Sequence, residues 1–202
     1  MFKLLTGVAL ALAVSTGPAS AAVLLSESGV SEFRPTPGSY TFFFDASADG
    51  AGTIDFSLVA LGSIDGLNAA CDLGDCADSF NLILNGSDVF YGALRMGGLG
   101  DDVVFISPSG ATLTVQSGAA GQGGTATFFL PVQLRAGSNT LTFAYAGYDQ
   151  GIDDESWAIA DLLVRDGSPA LVPEPATWAL LIAGFGLAGG ALRRRNALAR
   201  PA

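Results

Sequence analysis

Residues 82–90 read "LILNGSDVF", two apolar runs on either side of Asn85-Gly86. Asn-Gly is a preferred pair for a two-residue hairpin turn, where both central residues need positive φ. The segment therefore predicts two antiparallel strands. Outward from it, short runs of the same kind recur: "SYTFFFD" (39–45), "GTIDFSLVA" (52–60), "SFNLILN" (79–85), "DVVFIS" (102–107), "ATLTVQ" (111–116), "TATFFLPVQL" (125–134), "NTLTFAYA" (139–146) and "SWAIADLLVRD" (156–166). β-Branched and aromatic residues dominate these runs, and Gly, Asp, Asn and Ser separate them. Two alternate cleanly: Leu113 and Val115 against Thr112 and Thr114, and Leu141, Phe143 and Tyr145 against Thr140, Thr142 and Ala144. That is the period of a half-buried strand, and no segment of helical length in the middle of the chain carries the helical one. Roughly eight to ten short strands at this spacing predict an all-β fold, a β-sandwich of jelly-roll type. A calcium-binding β-roll competes on "GGLGDDVVF" (97–105), but that nonapeptide occurs once and such turns bury their faces only in tandem. Residues 97–102 read instead as a Gly-rich loop leading into a strand.

The two ends are of another kind. Lys3, the apolar run Leu4–Val14 and the small residues Ala19-Ser20-Ala21 predict a signal peptide over 1–21, cleaved between Ala21 and Ala22. The run is too short to cross a bilayer. The sandwich is expected over 22–171. Beyond it stands "VPEPATWALLIAGFGLAGGALRRRN" (172–196), then a short tail, 198–202. Residues 176–192 predict a transmembrane helix about 26 Å long, at the lower limit for a bilayer. Arg193, Arg194 and Arg195 would hold its far end in the cytoplasm and leave the sandwich outside.

Removing the ends sharpens the charge. The middle keeps Arg34, Arg95, Arg135 and Arg165 against eighteen acids, a net charge of −14. Such a field repels phosphate backbones and excludes nucleic acid as a partner. It suits solubility outside the cell, divalent cations or neutral glycans. Cys71 and Cys76 in "CDLGDC" are expected to close a small disulfide loop, as an exported chain allows. A zinc site lacks support, since two thiols fill half a tetrahedron and the chain has no His.

The same lack of His rules out Ser-His-Asp and Cys-His catalysis. Carboxylate chemistry, as in a two-acid glycosidase, survives as the enzymatic alternative. Two acidic clusters stand out: Asp72, Asp75 and Asp78 around the cysteines, and Asp149, Asp153, Asp154 and Glu155 before the last strand. Hard oxygen ligands on loops are what Ca²⁺ requires, and these seven residues are the candidate ligands. The competing reading is that Asp is common in turns, where it bonds its own backbone.

"DDESWAIADLLV" (153–164) resembles the D-E-S-W-G-I-D-N-V closing strand of extracellular jelly-roll modules in secreted bacterial proteins. The resemblance extends to "DSFNLILNG" (78–86) and implies a sandwich with a calcium- or glycan-binding role. Ala160 and Asp161 stand where Asp and Asn are usual, which moves the acid by one strand position. Trp157, on the same strand, reads as core sooner than as a sugar platform.

The C-terminal segment is identified as a member of the PEP-CTERM sorting signals, on Pro173, Glu174, Pro175, Trp178, Ala179 and Arg193–Arg195 over 172–197. Its P-E-P-x-x-W-A spacing is similar to the alphaproteobacterial variant. Leu180-Leu181 replace the frequent Met pair, and "NALARPA" extends beyond the arginines. The resemblance implies export, transient retention in the inner membrane of a Gram-negative cell and processing by an exosortase. Family members usually accompany exopolysaccharide production. The expected protein is thus a non-enzymatic structural or glycan-associated component of a polysaccharide-rich surface or biofilm. A calcium-dependent carbohydrate-binding module and a carboxylate-based glycan hydrolase are the alternatives.

Overall fold

The computed structural model divides the chain into two units, Ala21–Pro169 and the two ends, Met1–Ser20 with Ala170–Ala202. It describes residues 21–67, 77–148 and 151–167 of the first unit and Phe185 alone of the second. The expected signal peptide, membrane helix and Cys71–Cys76 disulfide therefore lie outside the described residues. No helix among the described residues is long and apolar enough to cross a membrane.

Eleven strands form: β1 Val23–Val30, β2 Arg34–Pro35, β3 Gly38–Ala46, β4 Gly50–Gly62, β5 Ser79–Leu84, β6 Ser87–Ala93, β7 Val103–Ile106, β8 Thr112–Ser117, β9 Gly124–Leu134, β10 Gly137–Ala146 and β11 Glu155–Asp166. They make two sheets, β1-β11-β4-β9-β8 with β2 beside β11, and β3-β10-β5-β6-β7. The antiparallel pairs β1·β11, β3·β10, β4·β9 and β5·β6 nest inside one another. That nesting, a long hairpin folded over into two layers, is the jelly roll. The expected Asn85-Gly86 turn joins β5 to β6, with φ of 52° and 78°. Residues 97–102 form the loop before β7, as expected, and nothing there stacks as a solenoid.

The alternating faces meet in one core. From one sheet come Ile54, Phe56, Phe128, Leu130, Trp157 and Val164, and from the other Phe80, Leu82, Phe90, Leu141, Phe143 and Tyr145. Phe80 is the hub: its ring lies 5.5–6.4 Å from those of Phe56, Phe90, Phe128, Phe143, Tyr145 and Trp157. Trp157 is fully buried, in keeping with its reading as core.

Two strands escaped the sequence reading. β1 meets β11 at five positions broken by two register shifts and is mostly exposed, so "VLLSESGV" shows neither alternation nor a continuous apolar run. β2 is two residues against Ser156 and Trp157. The displaced acid of β11 also finds its reason. Asp161 occupies a bulge with φ 51°, where two residues of β11, Asp161 and Leu162, face one of β4, Phe56. The bulge changes the inward phase, so Trp157 and Ile159 before it and Leu162 and Val164 after it are all buried. The Asp161 carboxylate accepts the Gly29 amide of β1 at 3.1 Å, which ties the edge strand to the bulge.

Candidate functional site

The two ends of the sandwich differ in chemistry. At the end where β4 finishes and β11 begins, the described members of the two acidic clusters include one buried residue each, Asp78 and Glu155, both 1% exposed. The Asp78 carboxylate accepts the Asp65 amide at 2.8 Å and lies against Gly147, whose hydrogen leaves the space a Cβ would take. Glu155 accepts the hydroxyl of buried Thr36 at 2.9 Å. Burial pushes the Asp78 carboxyl up to about 7; the Glu155 and Asp65 carboxylates push the same way, and the Asp65 amide pulls it down. Tyr145 completes this pocket of low dielectric. Its hydroxyl is buried without a hydrogen-bond partner among the described residues, and burial, with the nearby acids Asp78, Asp102 and Glu155, raises its pKa.

Two other expected ligands, Asp153 and Asp154, do not join them. Asp153 and Asp154 are exposed, and Asp154 accepts the Ser63 hydroxyl at 3.1 Å. Asp72, Asp75 and Asp149 lie outside the described residues. Ca²⁺ takes six to eight oxygens, and among the described residues no three acidic, His or Cys side chains converge to hold a metal. The two buried carboxylates are a partial fit among the described residues.

The opposite end is open. A cleft of about 720 Å³ is lined from one sheet by the start of β4 and the end of β9, and from the other by the β5–β6 turn and the residues after β7. Its polar side chains include Arg135, Gln133 and Asp88, and its apolar ones Pro108, Pro131, Ile106 and Val89. Three turns that surround it are tied together. Asn139, wholly buried, accepts the Arg135 amide at 3.1 Å and donates to the carbonyls of Arg135 and Gly137 at 2.8 and 2.9 Å. Asn85 donates to Asn139 at 2.8 Å and accepts the Thr140 amide at 2.9 Å. Asp49, in the β3–β4 turn, accepts the Ala136 amide at 2.7 Å. The Arg135 backbone is therefore fixed, while the residue lines the cleft with an exposed side chain that forms no ion pair among the described residues. No sequence motif marks this site, because four distant segments build it.

β11 ends at Asp166, and the segment that follows carries its own signature. Residues 171–195 match the PEP-CTERM protein-sorting motif. The PEP-CTERM motif includes Pro173, Glu174, Pro175, Trp178, Ala179 and Arg193–Arg195 as expected from the sequence, all outside the described residues. No curated protein matches the chain. Solved structures similar to it are a family 35 carbohydrate-binding module from Cellvibrio japonicus Abf62 (15% identity, 75% of this chain and 92% of that one, TM-score 0.35), a family 35 module from Clostridium thermocellum (14%, 74% and 100%, 0.32) and the sugar-binding EclA C-terminal domain (12%, 74% and 88%, 0.35). At these scores the neighbours carry no weight for ligand or activity, and the jelly-roll assignment rests on the strand pairing.

Proposed function

We propose that the chain is an exported, non-enzymatic β-sandwich protein. An exosortase that recognises its PEP-CTERM tail delivers it to the cell surface or matrix, where it associates with polysaccharide. The sorting motif carries this reading: it follows directly on the last strand, so the whole jelly roll is the cargo. The chemistry of the domain supports binding over hydrolysis. A two-acid glycosidase needs both carboxyls in reach of the glycosidic bond. Here the paired acids Asp78 and Glu155 are buried, and the cleft lining contains one carboxylate, Asp88.

Mass spectrometry of the mature protein from a producing cell tests delivery: a C-terminus near Val172–Pro175 is expected, and a chain still ending at Ala202 overturns sorting. A pull-down of the mature protein with the cell's own exopolysaccharide tests association. Retention is expected, and a protein that stays wholly unbound refutes that part.

A second reading makes the association calcium-dependent. It is favoured by the burial of Asp78 and Glu155, from two clusters far apart in sequence, near enough for Glu155 to raise the Asp78 pKa. Calcium should then raise the melting temperature and strengthen retention, and identical melts in calcium and chelator dispose of it.

A further inference from the structure

We infer that the cleft beside Arg135 is a binding site for a neutral glycan segment, held by side chains and not by a metal. The inference rests on the polysaccharide association just proposed and names the place and the ligand class. At about 720 Å³ the cleft falls within the usual range for ligand sites, roughly 300–1,000 Å³.

Its lining suits a sugar. Pro108, Pro131 and Ile106 offer flat apolar surface to the C–H faces of a pyranose, and Leu134 and Val132 beneath are buried. Around them stand a donor-only group, Arg135, an acceptor-only group, Asp88, and Gln133, which is both. Hydroxyls both donate and accept, so all three can be satisfied by one polyol. Asp88 is already oriented, since it accepts the Asn81 amide nitrogen at 3.0 Å. Arg135 is oriented at its backbone by Asn139. A site held by rigid turns loses less entropy on binding.

Charge decides between glycan classes. The cleft side chains balance, one guanidinium against one carboxylate, while the domain around them carries −14. A polyanion would gain one contact with Arg135 and meet Asp88 at the same site, against a repelling field. A neutral chain meets neither penalty.

The test is isothermal titration of the mature protein, in chelator, with neutral gluco-, galacto- and manno-tetraoses and with a galacturonate tetraose. At least one neutral tetraose should bind, with the uronate weaker by tenfold or more. Arg135→Ala and Gln133→Ala should each lower affinity at least fivefold with melting temperature unchanged, since both side chains are exposed. Stronger binding of the uronate would overturn the ligand class. Retention of exopolysaccharide that both variants leave intact would overturn the cleft while sparing the association. Loss of all glycan binding by the unaltered protein would sink both.

Discussion

Asn85 and Asn139, fifty-four residues apart, join side chains at 2.8 Å and so bind the β5–β6 turn to the start of β10. One side chain is in a positive-φ turn position that Asn tolerates, and the other is buried with four hydrogen bonds. The pair is the brace behind the cleft wall.

Asn139→Ala removes that brace and leaves the Arg135 amide and two carbonyls without their partner. Each buried polar group left unmet costs about 1–3 kcal/mol, and water entering the open end offsets part of it. A net loss of about 2–3 kcal/mol is expected in urea unfolding, together with weaker glycan binding. A loss under about 0.5 kcal/mol would show that the turn is held by something else.

Asp78 sets a pH dependence with a definite sign. Its carboxyl titrates near 3.8 when unfolded and near 7 when folded. Between those values the folded state keeps a proton that the unfolded state releases, so this group lowers stability as pH rises from about 4 to about 7. Above pH 7 the loss is complete. Asp78→Asn should raise the melting temperature at pH 8 relative to the unaltered protein and flatten the slope over that window, both measured in chelator. A slope that stays the same would mean that the carboxyl titrates normally in the fold.

Phe80 is the most connected ring of the core and is fully buried. Phe80→Ala should cost about 3–5 kcal/mol, as expected for an aromatic cavity. Chemical denaturation of Phe80→Leu alongside it should give a smaller loss. Equal losses would place the cost in the ring contacts and not in the void.

Cleavage before Ala22 would convert an existing contact into an ion pair. The Ala22 nitrogen already donates to the Asp166 carboxylate at 2.6 Å, and the Ala22 carbonyl accepts the Asp166 amide at 3.0 Å. In the mature protein the new ammonium should pair with Asp166 and raise stability by about 0.5–1 kcal/mol. N-terminal acetylation and Asp166→Asn should each remove that gain, and together no more than either alone. Additive losses in this double cycle would mean that the two groups do not interact.

Much of the sandwich was legible because it depends on local rules. Alternation over 139–146 and 111–116, and Asn85-Gly86 between apolar runs, each map onto strand faces and a turn. β1 was not legible, because an edge strand has little to bury and its partner β11 supplies the order. The bulge at Asp161 was visible only as a misplaced acid; its purpose depends on how β11 lies between β1 and β4. Among the acids, spacing could point to the clusters but not to which described members go inside, Asp78 and Glu155. The cleft was least legible of all. Arg135 and Asn139 sit in an ordinary-looking turn, and Asp88 is one more acid in a hairpin, until the nested pairing brings the ends of β4, β5 and β9 together.

The nesting also gives the domain a front and a back. Because β1 runs beside β11, Val23 pairs with Arg165, and Asp166 lies opposite Gly52, itself opposite Val132. Gly52 and Val132 both line the cleft, and the Gly167 amide bonds to the Ala51 carbonyl at 2.8 Å. The described chain thus enters and leaves the jelly roll at the cleft's own rim, while Asp78 and Glu155 lie at the far pole. A label or fusion joined at Ala22 or Gly167 would crowd the doorway, and one inserted beside Ser63 or Asp154 would leave it clear.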